Sequence, residues 1–291
     1  MTPEILAEVL INGIVIGSIY ALFAMGLALI FGVLEFVNFA HGEFYMLGAM
    51  LTATLTQVVG LDYWLTVPIV VLISIAAGVA LYDGLWCRLK QGDYEKSILI
   101  TIGLALVLQN GALYVWGPTP RLITTSFVTD IVQIGELTIP TVRLIALAVS
   151  LGALLIVFLV LNHTRAGLAL RGVAQSREAA LMVGIQVRKV SRFAVGAGIG
   201  LCGLSGAVLA LIYTIFPTMG VLLAFKAFAI VIIGGLGSVV GAAVVGFSLG
   251  VLESFFALYL SAGTTNVAIF MTMILVLLFW PLGLFGRRIR L

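Results

Sequence analysis

The chain has 291 residues, of which 62% are hydrophobic and 9% charged, and its mean hydropathy is +1.25. A soluble domain carries about 25% charged residues, so a water-exposed globular fold is excluded. The net charge of +3 does not point to nucleic acid, because the basic residues gather in a few loops, which is a pattern of membrane topology.

Several uncharged windows have the roughly 20 apolar residues needed to cross a bilayer core. The segments of about 10 alternating residues that mark a transmembrane barrel are absent. The sequence therefore predicts an all-α polytopic membrane protein, one transmembrane domain over 1–291, with about eight crossings and one broken or re-entrant segment. Cys87 and Cys202 lie in or beside apolar stretches. Two cysteines are too few for a disulfide framework, and both read as small packing residues.

The N-terminus reaches Glu8 without a positive charge, so no cleaved signal peptide is expected. A first span covers about Ile5 to Leu34 and contains Gly13-x-x-x-Gly17, a spacing that lets helices approach closely. It runs into the polar stretch Glu35-Phe36-Val37-Asn38-Phe39-Ala40-His41-Gly42-Glu43. Ionisable groups in such surroundings face a protein interior or a water-filled cavity. If the stretch is helical, Glu35, Asn38 and Gly42 share one face. It reads either as a polar break lining a transport path or as an interfacial turn in which Asn38 caps a helix.

A second span follows from about Phe44 to Val59, then the short turn Leu61-Asp62-Tyr63-Trp64, then a third span from about Leu65 to Trp86. The polar link 91–96 leads to a fourth span, about Ser97 to Trp116, which Gly117-Pro118-Thr119-Pro120 terminates. Residues 121–141 predict a small extended or hairpin segment. A fifth span covers about Val142 to Leu161, and the basic loop His163 to Arg192 follows. Within that loop, 173–183 favours a short helix that Ser176 can cap and Gly184 can end. It would dock into a cytoplasmic partner or lie on anionic lipid.

A sixth span is expected over about Phe193 to Phe216. Residues 221–260 are too long for one crossing, so they divide at Gly234-Gly235-Leu236-Gly237-Ser238. The shorter piece, to Gly234, would enter and turn back; the longer runs from about Ser238 to Leu260. The last span is about Asn266 to Trp280. A loose similarity links the glycine-punctuated first span, leading into Ala40-His41-Gly42-Glu43, with Phe225-Lys226-Ala227-Phe228 leading into Gly234-Gly235-Leu236-Gly237, each followed by a long apolar span. Two such repeats with broken helices are a common transporter plan.

Twelve of the fifteen Lys and Arg residues lie at 88–96, 165–192 and 287–290. Those segments are expected to be cytoplasmic, with the N-terminus and the loop 117–141 outside. There is no catalytic set, no clustered metal ligands and no phosphate loop, since Gly234-Gly235-Leu236-Gly237-Ser238 lacks the Gly-Lys-[Ser/Thr] ending. The chain is expected to be a non-enzyme without a cofactor of its own. Glu253 reads either as an acceptor on a transport path or as a buried structural carboxylate.

Glu178-Ala179-Ala180-x-x-x-Gly184 resembles the coupling-loop motif of ABC importer permeases. Gly32-Val33 followed by Val37-Asn38-Phe39-Ala40-His41-Gly42-Glu43-Phe44-Tyr45-Met46-Leu47-Gly48-Ala49 resembles the signature of branched-chain amino acid permeases, and Ile232-Ile233-Gly234-Gly235-Leu236-Gly237-Ser238 is similar to a second pattern of that family. The likeness, to the smaller permease of the high-affinity system, covers nearly the whole chain. It implies an importer permease of the branched-chain amino acid/ribose type in a bacterial inner membrane. The implied partners are a homologous second permease, two cytoplasmic ATPases that hold ATP and Mg, and a periplasmic binding protein, in a lipid membrane and without nucleic acid. It also implies a path or gate at Glu35, Asn38, His41, Gly42, Glu43, Gly234, Gly235, Gly237 and Glu253, and ATPase coupling through Arg177, Glu178, Ala179, Ala180 and Gly184. Two other readings remain open: a urea or short-amide permease of the same superfamily, and a stand-alone ion-coupled transporter.

Overall fold

The computed structural model describes residues 3–89, 94–124, 130–134, 137–281 and 283–286. Lys90, most of the 91–96 link, Gly135 and Glu136, and the basic tail Arg287, Arg288 and Arg290 lie outside the described residues. Eleven α-helices are described: α1 Pro3–Leu34, α2 His41–Ala53, α3 Tyr63–Gly84, α4 Tyr94–Trp116, α5 Thr141–His163, α6 Arg165–Gln175, α7 Arg177–Met182, α8 Val187–Leu209, α9 Gly220–Gly234, α10 Val239–Tyr259 and α11 Ala262–Phe279. Seven of them (α1, α3, α4, α5, α8, α10, α11) are long and apolar enough to cross a membrane. α2, which a π-helical turn over Thr54–Val58 prolongs, and α9 are shorter.

The expected hairpin is present. Strands β1 Ile131–Ile134 and β2 Leu137–Pro140 pair antiparallel, with Ile131 opposite Pro140 and Gln133 opposite Thr138. Arg121, after α4, bridges to Ile215 in the segment between α8 and α9.

Packing depends on small residues, as expected where lipid tails are as apolar as the side chains. α1 and α10 run antiparallel in contact along their length: Gly13 meets Val251, Gly17 meets Phe247, and Gly32 meets Gly237. α3 and α8 do the same, with Gly78 against Gly196 and Gly203 against Ser74. At the centre α1 and α8 cross where Gly26 and Gly198 lie against each other's carbonyl groups. α1 and α8 are thus the two buried helices, while α4, α5 and α11 form an exposed apolar rim. Such a rim suits lipid or another membrane subunit.

The plan is an inverted repeat. α1, a break over 35–40, half-helix α2 and long α3 correspond to α8, a break over 210–219, half-helix α9 and long α10. The internal similarity read from sequence set Ala40-His41-Gly42-Glu43 against Gly234-Gly235-Leu236-Gly237, at the far end of α9, and this register is corrected. The second break precedes α9 instead of following it, and the element that corresponds to His41-Gly42 is Gly220. The short helix is broken and not re-entrant. The glycine turn after it, with Gly235 at φ 94° and Gly237 at φ 78°, passes beside Gly32 at the end of α1 and leads into α10. The sixth span is also shifted, to Val187–Leu209, so that the end of the basic loop is helical.

Candidate functional site

Beyond Asn12, α1 is apolar but for Ser18 and has no proline, so nothing breaks it before Leu34. It ends where Glu35 takes a left-handed backbone, φ 58°, with its N–H still donating to Phe31 O at 2.8 Å. A residue with a Cβ pays roughly 1–2 kcal/mol for that conformation. The stretch 35–40 is therefore not helical, and the expected common face of Glu35, Asn38 and Gly42 does not form. Glu35 is exposed, whereas Asn38, His41, Gly42 and Glu43 are buried.

The break is tied by short-range bonds. Asn38 Oδ1 accepts from Ala40 N at 3.1 Å, and Asn38 O accepts from His41 N at 3.2 Å. This local Asx turn, and not a side-chain cap, starts α2. The chain doubles back into the bundle, so that His41 meets the middle of α1. Its Nε2 lies 3.0 Å from Phe23 O, and its ring stacks on Phe23 with centroids 4.9 Å apart. The carbonyl can only accept, so Nε2 carries the hydrogen. The Cys202 Sγ lies 3.0 Å from Nε2 and 3.3 Å from Nδ1, against the edge of the ring. Cys202 packs as expected, and it also holds the imidazole in one orientation.

Gly42, the second residue of α2, and Gly220, the first of α9, touch. A Cβ on Gly220 would lie 2.6 Å from Gly42 O and 3.0 Å from Glu43 Oε2, and a Cβ on Gly42 would strike Gly220 O. Glu43 is 3% exposed, and its Oε2 has no hydrogen-bond partner among the described residues. Two helix N-termini converge there, each with partial positive charge.

The other predicted path residues lie elsewhere. Gly234, Gly235 and Gly237 sit at the far end of α9, beside Gly32 and the segment 283–286; Leu284 N donates to Ile233 O at 2.7 Å. Glu253 pairs with Lys226, Oε1 to Nζ 2.6 Å. Sequence reasoning quoted Lys226 without giving it a role; a lone lysine inside an apolar helix was the available signal.

The basic loop is two helices, not one. Thr164 Oγ1 accepts from Gly167 N at 3.1 Å and starts α6; Ser176 Oγ accepts from Ala179 N at 3.2 Å and starts α7. α7 closes on Gly184, φ 81°, with Ile185 N to Ala180 O at 2.9 Å and Gly184 N to Leu181 O at 3.0 Å. That is a Schellman cap. Ala180 packs with Val33, Leu170, Val173, Val187 and Ala194, so it faces the protein and not a partner, as does Val173. Arg177 is half-buried, and Glu178, Ala179 and Gly184 are exposed. Leu181, Met182 and Val183 are 57%, 83% and 76% exposed and form the outward apolar knob.

A bundle of long apolar helices with two half-helices meeting inside it is the plan of a membrane permease, and here α7 carries an exposed apolar knob beside the end of α1. Residues 9–279 match the family described as branched-chain amino acid transport system / permease component. The chain is 29% identical to the high-affinity branched-chain amino acid transport system permease protein BraD of Pseudomonas aeruginosa, over 98% of each chain. It is 30% identical to LivH of Escherichia coli, of the same printed description, over 95% of this chain and 94% of that one. A probable LivH of Methanocaldococcus jannaschii is 27% identical over 96% and 92%. A shorter match, 30% over 34% of this chain, is to LivM, a second permease protein of that system in Salmonella typhimurium. No match was found among solved structures. The chain belongs to the branched-chain amino acid transport permease family.

Proposed function

We propose that this chain is the smaller permease subunit of an ATP-driven importer of leucine, isoleucine and valine in a bacterial inner membrane. It takes substrate from a periplasmic binding protein. A homologous permease pairs with it, and two cytoplasmic ATPases supply ATP and Mg; the chain itself holds no cofactor. Its N-terminus and the loop 117–141 lie outside, and α6, α7 and the C-terminus lie in the cytoplasm.

The observation that carries this reading is the seat of α7. Ala180 on α7 and Val33 at the end of α1 share one packed cluster with Val187 and Ala194 of α8. Close-packed interiors transmit displacement instead of absorbing it. An ATPase gripping Leu181, Met182 and Val183 therefore pulls on the two central helices immediately next to the first break. Asn38, His41, Gly42 and Glu43 form the gate that this displacement opens, and Gly42 against Gly220 is its tightest point. Glycines without a Cβ let the two half-helices close fully and part without side-chain repacking.

The test is purification of the tagged chain with its co-expressed neighbours, followed by reconstitution into liposomes with the binding protein. ATP-dependent uptake of leucine and none of urea is expected. Uptake by the chain alone, without ATPases, would overturn the reading.

A further inference from the structure

One charged cluster of the bundle has no place in the gate just described. Lys226, on α9, is 4% exposed and sits among apolar neighbours. Its Nζ lies 2.6 Å from Glu253 Oε1 on α10, donates to Tyr20 OH on α1 at 2.9 Å, and stands 5.2 Å from the centroid of the Tyr20 ring. Glu253 Oε2 is buried with no hydrogen-bond partner among the described residues. An apolar pair would hold three helices together as well or better, because desolvating two charges offsets most of their attraction. That second carboxylate oxygen has capacity for a further donor.

Its position links it to the gate. Tyr20 and Phe23 lie at i and i+3 on one face of α1, and Phe23 carries His41. Lys226 belongs to the half-helix that begins at Gly220.

We propose that Lys226 and Glu253 form the binding site for the charged end of a zwitterionic amino acid, closed on itself when no substrate is present. This rests on the reading of the chain as an amino acid permease. The α-carboxylate takes the place of Glu253 at Lys226 and Tyr20, and the α-ammonium takes the place of Lys226 at Glu253, whose free Oε2 is available to it. Each protein charge exchanges one partner for another, so the bundle stays neutral throughout. The flexible four-carbon stem of lysine makes the swing easy. An amine or an acid alone would leave one buried charge unpaired, so the site selects zwitterions.

The experiment uses the full complex in liposomes, with binding protein and radiolabelled leucine at saturating concentration. The double variant Lys226→Met with Glu253→Leu removes both charges and leaves neither orphaned. It should co-purify with its partners as the wild type does, while leucine uptake falls by about 100-fold or more, the factor implied by a buried charge without its partner. Normal uptake by the assembled double variant would show that the pair only holds helices together, and would overturn the proposal. A second variant, Lys226→Arg with Glu253→Asp, keeps both charges and so guards against loss of folding. Its uptake rate should fall by about 10-fold, and an unchanged rate would equally overturn the proposal. If wild-type complexes take up no leucine at all, it is the permease reading that fails.

Discussion

Gly42→Ala tests the meeting of the two half-helices most directly. The added Cβ would strike Gly220 O and lie 2.8 Å from Gly220 C and 2.9 Å from the Ala224 side chain. Ordinary carbon contacts begin near 3.5 Å, so α2 and α9 must separate by roughly 1 Å in a region where every neighbour is buried. Overpacking of this kind costs about 1–3 kcal/mol, and backbone atoms on the opposing side place Gly42→Ala at the upper end. Gly111→Ala in α4 is the control: a Cβ there meets nothing within 4 Å, and alanine favours the helix by about 1 kcal/mol. In a Cys87→Ser background, which removes the partly buried thiol, Cys202, fully buried against His41, supplies the assay, because a thiol-reactive fluorophore labels it only when the bundle opens. Detergent-purified Gly42→Ala should label at lower temperature than wild type and lose uptake, while Gly111→Ala should match or exceed wild type. Gly220→Ala should behave like Gly42→Ala, and the double variant should cost less than the two together, since one separation relieves both clashes. Equal labelling curves for Gly42→Ala and Gly111→Ala would refute the close approach.

Gly184→Val forces a β-branched residue into φ 81°, costing about 1 kcal/mol or more; it should uncap α7 and weaken ATPase co-purification while the Cys202 labelling temperature holds. Met182→Asp, at an 83% exposed position, should weaken that co-purification by about 10-fold without changing stability, whereas Ala180→Trp should unseat α7 from its own core and show added protease cleavage near Ser176. Asn38→Leu removes the acceptor for Ala40 N, worth about 1 kcal/mol, and should reduce leucine uptake in assembled complexes. Asp83→Asn breaks the ion pair to Arg192, 2.8 Å long and half open to solvent; a change above about 1 kcal/mol in unfolding would contradict its exposure.

Much of this molecule is legible in its residues because the signals are local. A run of about 20 apolar residues has to cross a bilayer whatever surrounds it, and the long helices fall within a few residues of the expected spans, save α8, which begins inside the basic loop. The hairpin at 131–140, the Ser176 cap and the Gly184 stop are equally local, since each is decided by residues within one turn. What the sequence could not disclose is where the chain turns inside the bundle. Hydropathy is the same on both sides of such a turn: the division of residues 221–260 at Gly234 is met by α9 and α10, while the turn before Gly220 carries no comparable signal. The approach of Gly42 to Gly220, the thiol of Cys202 on His41, the inward seat of Ala180 and the bond between Lys226 and Glu253 all join residues distant in the chain. Each of these depends on which helix faces which. In a membrane that is settled by close packing of small residues and by the need of every buried polar group for a partner, and both act only once the helices have come together.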